Sequence, residues 1–289
     1  MMTKQLMGCL AFCLMLTGSA TAADPDTIEL FDEVYKVQRF NYYQEVQFPD
    51  PFDPNFSLGF IEAEGVHYLG EHRMLLSTDE LDAFLSYKNQ IVEVQLDTDP
   101  NGTITGLSYV KHWLILDPAG PGGYDLDPTG LSINTGTTGL AAGGNLLVSN
   151  SEIENVFGFT REPNDPLDPN AAYLGDWTTE PPNSDVEDLT YVPDPNDPNE
   201  GDIYTIDQDG PFTMDIFSTT GTLRRSYSIA GYADPNTMGE PKGLTYLPPV
   251  NTYPEMLQTD GGALLVGLDD EGPGLQVFDP TEPNSDWSR

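Results

Sequence analysis

Short apolar runs alternate with polar, turn-forming segments along most of the chain, and helical periodicity is scarce. Clusters of Pro, Gly, Asn and Asp separate the runs. Proline fixes φ, and Asp or Asn side chains hydrogen-bond within their own turns. The sequence Asp-Pro-Asn begins at Asp53, Asp99, Asp168, Asp194, Asp197 and Asp234. Short strands separated by frequent turns predict an all-β protein.

A motif of successive apolar runs recurs four times in the same order. The first runs are 64–68, 129–133, 187–191 and 242–246. The second runs are 74–76, 146–148, 203–205 and 264–266. The third runs are 91–94, 156–159, 214–217 and 275–278. A fourth run follows in the first three repeats, at 104–110, 173–177 and 223–229.

The length of the repeat predicts a β-propeller. The second residues of the first runs, Gly65, Gly130, Asp188 and Gly243, lie 65, 58 and 55 residues apart. Four strands in a unit of this size describe a propeller blade with long loops. We therefore expect a single propeller domain over residues 23–289, with four clear blades and a fifth.

The last repeat ends near Asp279, after its third run. Residues 43–48 alternate in polarity and could supply the missing outer strand. The ring would then be closed by N- and C-terminal strands, which removes exposed sheet edges. Alternatively, residues 28–60 form an irregular blade of their own.

The N-terminus predicts a signal peptide over residues 1–22. Lys4 is its one charged residue, an apolar run covers 6–16, and small residues at 20–22 suit cleavage. The run is too short for a membrane span. A lipoprotein is the alternative, because Gly8-Cys9 resembles a lipobox, although little apolar sequence precedes Cys9.

Both cysteines, Cys9 and Cys13, lie in this segment, so disulfides and thiolate-zinc sites are excluded from the mature chain. We expect a secreted or periplasmic protein.

The chain is strongly acidic, with 47 Asp and Glu residues against 11 Lys and Arg and a net charge of −36. Nucleic acids and anionic membranes are poor partners for such a surface, whereas cations are good ones. A solvated acidic surface that keeps the protein soluble explains the same charge. We expect a monomer whose partners are a divalent cation and an unidentified small molecule or protein.

Acids recur just before the first strand of each repeat. They are Glu62, Glu64, Asp127, Asp185, Glu187 and Glu240. In a propeller these side chains would converge on one rim of the central channel. Carboxylate oxygens suit Ca²⁺, and converging carboxylates repel one another without a cation. The alternative is that each acid caps its own loop or faces water.

A second calcium-site hypothesis concerns Asp97, Asp99 and Asn101, which match the opening of a calcium-binding loop. Ser108 stands where the bidentate acid should be. A β-hairpin with Asn101-Gly102 as its turn explains the same residues. The histidines His67, His72 and His112 have no zinc-site spacing and are interpreted as packing or surface residues.

The repeat resembles blades of the phytase-like and SdiA-regulated-type β-propellers. The resemblance is carried by Glu62-Ala63-Glu64-Gly65-Val66, by 185–191, and by 242–246 with 264–266. It implies either a calcium-dependent phosphatase that acts on inositol phosphates or an extracytoplasmic protein of unsettled function. The short motifs indicate architecture more than activity.

The basic residues depart from the catalytic members of that family. A polyphosphate substrate needs many cationic contacts, and Arg224-Arg225 is the one basic pair that stands out. Adjacent strand residues point to opposite faces and cannot form one clamp. The sequence identifies no catalytic residues and leaves open whether the chain is an enzyme. It favours a ligand- or protein-binding module stabilised by calcium, with a calcium-dependent phosphohydrolase or esterase as the alternative.

Overall fold

The computed structural model describes the strand residues 27–30, 33–36, 48–49 and 57–58, and then most of the chain from 63 onward. The later ranges are 63–78, 90–100, 104–115, 128–151, 153–161, 170–179, 185–197, 199–207, 212–229, 241–248, 263–268 and 274–278. Every regular element in these residues is a β-strand. The chain is therefore all-β where it is described, as the sequence predicts.

The strands follow the predicted repeat. The N-terminal strands are β1 Thr27–Leu30, β2 Glu33–Lys36, β3 Phe48–Pro49 and β4 Ser57–Leu58. Blade I contains β5 Ala63–Gly70, β6 Arg73–Thr78, β7 Gln90–Thr98 and β8 Ile104–Leu114. Blade II contains β9 Pro128–Asn134, β10 Asn145–Asn150, β11 Asn155–Phe159 and β12 Tyr173–Thr178. Blade III contains β13 Val186–Pro193, β14 Gly201–Asp207, β15 Thr213–Ser218 and β16 Leu223–Ser228. Blade IV contains β17 Pro241–Leu247, β18 Ala263–Leu268 and β19 Gly274–Phe278.

Each blade is an antiparallel meander in which strands pair in chain order. Blades I, II and III have four strands, and blade IV has three. The predicted strand order within every repeat is confirmed, and the described residues of the last repeat contain three strands. Hairpin connections between neighbouring strands account for this order, because antiparallel strands need only short turns to pair.

The first strands of the blades lie side by side in the row β5, β9, β13, β17. Every residue of β9 is buried, whereas β12 and β16 at the outer edges of their blades are mostly exposed. This gradient from buried inner strands to exposed outer strands is that of a β-propeller-like fold. Among the described strands, β17 and β5 do not pack as the successive inner strands do, so the row runs from blade I to blade IV.

Apolar side chains fill the space between consecutive blades. Between blades I and II they include Leu75, Ile91, Trp113, Leu131, Leu146, Phe157 and Phe159. Between blades II and III they include Leu147, Val156, Leu189, Tyr191 and Ile203. Between blades III and IV they include Tyr204, Ile206, Met214, Leu244, Leu264 and Val266. Each fully buried side chain of this size contributes about 1.5–3 kcal/mol, so these junctions supply most of the driving force for folding.

Two short strand pairs precede blade I. Strand β1 pairs with β2, with Thr27 opposite Lys36, and β3 pairs with β4, with Phe48 opposite Leu58. Residues 43–47 of the predicted ring-closing strand and the predicted signal peptide at 1–22 lie outside the described residues. No helix in the described part of the chain is long and apolar enough to cross a membrane.

Candidate binding site at the top rim of the inner strands

The inner strands share an irregularity where they begin. We call the end at which β5, β9, β13 and β17 start the top rim. Near this end the register of every inner strand shifts by one residue against the second strand of its blade. The extra residue is Thr129 in β9, Glu187 in β13 and Lys242 in β17. A β-bulge of this kind re-aims a side chain, so the same repeat position is re-aimed in successive blades.

The bulged residues of neighbouring blades bind across the blade junctions. The Thr129 hydroxyl donates to the Val186 carbonyl oxygen at 2.9 Å, which joins blades II and III. The Lys242 ammonium lies 2.9 Å from the Glu187 carboxylate, which joins blades III and IV. Both side chains of this ion pair are mostly shielded, at 24% and 13% exposure, so water screens the attraction less than at an open surface.

Asp188 lies at the centre of the row, one residue after the bulge in β13. Its two carboxylate oxygens accept hydrogen bonds from the backbone N–H groups of Leu244, at 2.6 Å, and of Leu189, at 2.7 Å. Burial raises the pKa of this carboxyl well above its ordinary value, and the hydrogen bonds from Leu244 and Leu189 oppose that rise. Leu244 belongs to blade IV, so this side chain bonds blade III to blade IV, and it lies close to Gly130 of blade II.

Glycines permit the close approach that Asp188 needs. Gly130 is the equivalent of Asp188 in blade II, and a Cβ there would lie 2.7 Å from the Asp188 Cα atom. Gly243, the equivalent in blade IV, also faces the Asp188 carboxylate. Glycine therefore occupies this position in blades II and IV, the two neighbours of blade III, where the position carries the charged Asp188. Blades II, III and IV are consequently packed tightly at their inner strands.

The structure locates some of the acids predicted to form a rim site. Asp185 directly precedes β13 and Glu187 is the bulged residue, so these two acids lie at the top rim. Glu187 pairs with Lys242, and Asp185 also makes interactions of its own. Glu64 lies in β5, with its side chain outside the described set. Glu62, Asp127 and Glu240 lie outside the described residues.

The second predicted calcium site lies at the opposite rim. Asp97 belongs to β7 and stands opposite Gly106 of β8, and the Ser108 hydroxyl donates to its carboxylate at 2.7 Å. Asp99 follows the end of β7, and Asn101 lies outside the described residues. β7 and β8 pair as antiparallel neighbours, as the alternative interpretation predicts, and the predicted Asn101-Gly102 turn lies outside the described residues. Antiparallel order puts this hairpin at the end of blade I away from the top rim.

Two further acids lie buried in blade III. Asp207 ends β14 and Asp215 lies in β15, and both are fully buried. The Thr213 hydroxyl donates to the Asp215 carboxylate at 2.7 Å. Burial raises the pKa of Asp215, and the nearby charge of Asp207 adds to that rise. Within the described residues, no three His, Cys, Asp or Glu side chains are grouped so that they could hold a metal ion.

The two adjacent arginines of β16 make separate contacts. Arg224 forms an ion pair with Asp202 at 3.0 Å, whereas Arg225 donates to the Tyr227 hydroxyl at 3.2 Å. This arrangement is consistent with the prediction that Arg224 and Arg225 do not bind one ligand together.

Two residues of the rim were not selected from the sequence. Lys242 occupies the repeat position that Glu64, Thr129 and Glu187 occupy in the other blades. Asp188 occupies the position of Gly65, Gly130 and Gly243. For Asp188 the signal is a single departure from glycine among the four repeats, and for Lys242 it is a change in the sign of the charge, both of which an alignment of the repeats exposes.

The sequence matches no known protein family and no curated protein. Solved structures with a similar fold include the hydrazine synthase of Kuenenia stuttgartiensis, at 12% identity over 76% of this chain and 47% of the other, with a TM-score of 0.40. A candidate gluconolactonase is 14% identical over 76% of this chain and 61% of the other, with a TM-score of 0.40. A candidate 6-phosphogluconolactonase from Bacteroides uniformis is 11% identical over 79% of this chain and 72% of the other, with a TM-score of 0.39.

The chain thus spans about half the length of the first of these structures and less than two thirds of the second. The class of the protein follows from its own topology, which is a row of antiparallel four-stranded meanders with buried inner strands. It is an all-β protein of β-propeller-like architecture.

Proposed function

We propose that this chain is a secreted or periplasmic binding module that takes a ligand or protein at its top rim and is stabilised there by calcium. The observation that carries the proposal is the meeting of Glu187 and Lys242, two charged side chains from successive blades at the same repeat position. A repeated bulge aims side chains at one rim, which is how a propeller builds a site from several blades.

The charge of the chain favours a cation in this site. Asp185 and Glu187 lie at the start of β13 beside one lysine, and the other predicted rim acids occupy matching positions in the other repeats. Ca²⁺ takes six to eight oxygen ligands, so several blades would have to contribute. The proposal includes closure of the ring by residues 43–48 beside β19, which would bring the two ends of the row together.

Calcium titration tests the proposal. Thermal unfolding of the mature protein should shift upward by several degrees in millimolar calcium, measured against sodium chloride of equal ionic strength. The double variant Glu64→Gln, Glu187→Gln should lose this shift. The matched control Asp97→Asn, Asp99→Asn removes two charges at the opposite rim and should keep it.

Three outcomes would count against parts of this proposal. An unchanged midpoint in the wild-type protein would remove calcium from the proposal. Loss of the shift in the control alone would move the calcium site to the β7–β8 hairpin. Release of phosphate from inositol hexakisphosphate or simple phosphomonoesters, dependent on calcium and abolished by a chelator, would replace the binding module by a calcium-dependent phosphohydrolase.

A further inference from the structure

Charged side chains lie beside the apolar core of the junction between blades I and II. Strand register sets four residues opposite one another across blade I, in the row His67, Leu75, Glu93 and Lys111. Residues that stand opposite one another in neighbouring strands share one face of the sheet. Leu75 packs against blade II, so the row lies on the face of blade I that is turned toward blade II.

Glu93 is buried within this row, with 1% of its side chain exposed. The Arg73 guanidinium lies 2.9 Å from its Oε1 atom, and the Lys111 ammonium lies 3.6 Å from its Oε2 atom. Lys111 also lies over the Trp113 ring, 5.4 Å from its centroid. The side chains of Arg73 and Lys111 are 40% and 37% exposed, so an ion in solution can reach both of them.

Arg161 brings a third cation to the junction from blade II. Its backbone N–H donates to the Asn145 side-chain oxygen at 3.1 Å, which fixes the residue just after β11. Burial and then the charge of Arg161 lower the pKa of His67 from 6.5 to about 4, so this guanidinium lies near the row of blade I. Among the described residues, its buried Nε atom has no hydrogen-bond partner and no carboxylate forms an ion pair with it.

Positive charge is therefore in excess at this junction. His67 is neutral at pH 7 because its pKa is low. The Glu93 carboxylate stands against three cations, which leaves two positive charges that no described carboxylate matches. The molecule as a whole has the opposite sign, with a net charge of −36. A partly shielded group of like charges attracts counter-ions, and guanidinium groups bind oxyanions through paired N–H donors.

We propose that Arg73, Lys111 and Arg161 bind a small oxyanion that carries two negative charges, either a tetrahedral dianion or a dicarboxylate. The charge of such a ligand equals the excess at the junction, and its oxygens accept hydrogen bonds from the two guanidinium groups and the ammonium. Arg73 begins β6, so the site lies at the end of blade I away from the top rim. It depends neither on calcium nor on the proposed function.

Isothermal titration calorimetry of the full chain tests this site. Sodium sulfate is the tetrahedral probe and sodium succinate the dicarboxylate, each at an ionic strength held constant with sodium chloride. We expect saturable binding of one of them, which identifies the ligand shape, and binding of the monoanion acetate that is about tenfold weaker or less. Arg161→Gln should weaken the binding about tenfold. Arg224→Gln is the matched control, because it removes the same charge from an ion pair on blade III and should leave the binding unchanged.

Glu93→Gln separates a ligand site from a purely structural ion pair. It keeps an oxygen for Arg73 and removes the competing negative charge, so the dianion should bind about tenfold more tightly. Far-UV circular dichroism establishes that each variant is folded. The absence of saturable binding of both dianions to the wild type would overturn the proposal. Equal losses in Arg161→Gln and Arg224→Gln, or weaker binding in Glu93→Gln, would also overturn it.

Discussion

The junction between blades I and II and the junction between blades II and III come from the same repeat but are held differently. The first is mostly apolar and is centred on Trp113, Phe157 and Phe159, with a backbone hydrogen bond from Ala171 to Leu114 and a close contact of Gly65 with Leu131. Its polar contact at the inner strands is the Ser77 hydroxyl, which donates to the Pro128 carbonyl at 3.0 Å. This junction derives its stability from burial.

The junction between blades II and III adds many directed contacts. Ser132 accepts from the Tyr191 backbone N–H at 3.0 Å, and the β9–β10 connection donates from Thr137 to Asn199 and from Leu140 to Thr219. Apolar burial is tolerant of small shifts, whereas hydrogen bonds and close glycine contacts are not. The difference indicates that burial supplies most of the stability of the junction between blades I and II. Hydrogen bonds and close contacts fix the register of the junction between blades II and III.

The largest effect is expected at the apolar junction. Phe157→Ala removes a ring that is 1% exposed and packed beside Phe159, with centroids 6.3 Å apart. We expect a loss of about 4 kcal/mol in the free energy of unfolding, measured by urea denaturation. Leu174→Ala, at a position 45% exposed on β12, should cost under about 0.5 kcal/mol. Similar losses in the two variants would contradict the assignment of stability to this core.

The next effect is expected where glycine allows close approach. Gly130→Ala would place a Cβ 2.5 Å from the Asp188 carboxylate and 2.7 Å from its Cα atom, so the backbone of β13 must move. We expect a loss of about 3 kcal/mol from overpacking. Gly106→Ala is the control, because its Cβ would meet Asp97 at an ordinary 3.5 Å. A tolerated Gly130→Ala would show that the second junction is adaptable.

Stability should change with pH in opposite directions because of His67 and because of Asp188. His67 lies in β5, where burial and then the charge of Arg161 lower its pKa from 6.5 to about 4. As pH falls through this window, the unfolded chain takes up a proton that the folded chain refuses, so stability is lost. Allowing for its partial exposure, the loss is about 2 kcal/mol between pH 7 and pH 4. His67→Gln should lack this part of the decline in urea titrations.

Asp188 should act in the opposite direction. Because burial raises its pKa, the folded state binds a proton at a higher pH than the unfolded state does. The contribution of Asp188 to the free energy of unfolding is greatest at acid pH. It falls as the pH rises above 3.8, the ordinary pKa of an aspartate. The stability advantage of the wild type over Asp188→Asn should therefore grow on acidification. An advantage that shrinks would mean that the carboxyl enters the fold charged.

Much of the fold follows from the sequence, because apolar runs at matching places in four repeats dictate four meanders. The pairing of Glu187 with Lys242 was not readable from the chain, since bulges arise from the register between strands and leave no composition signal. The close approach of Gly130 to Asp188 was not readable either, since it depends on the distance between neighbouring inner strands.

The row of inner strands has a consequence for how the molecule comes apart. Each blade contacts the blades next to it along the chain, so its free energy approximates a sum of local and nearest-neighbour contributions, as in a solenoid. Within the described row, blade IV contacts one neighbour, whereas blade III contacts blades II and IV through Asp188. We therefore expect local opening to begin in blade IV, and the amide hydrogens of β13 and β14 to be the last to exchange with solvent.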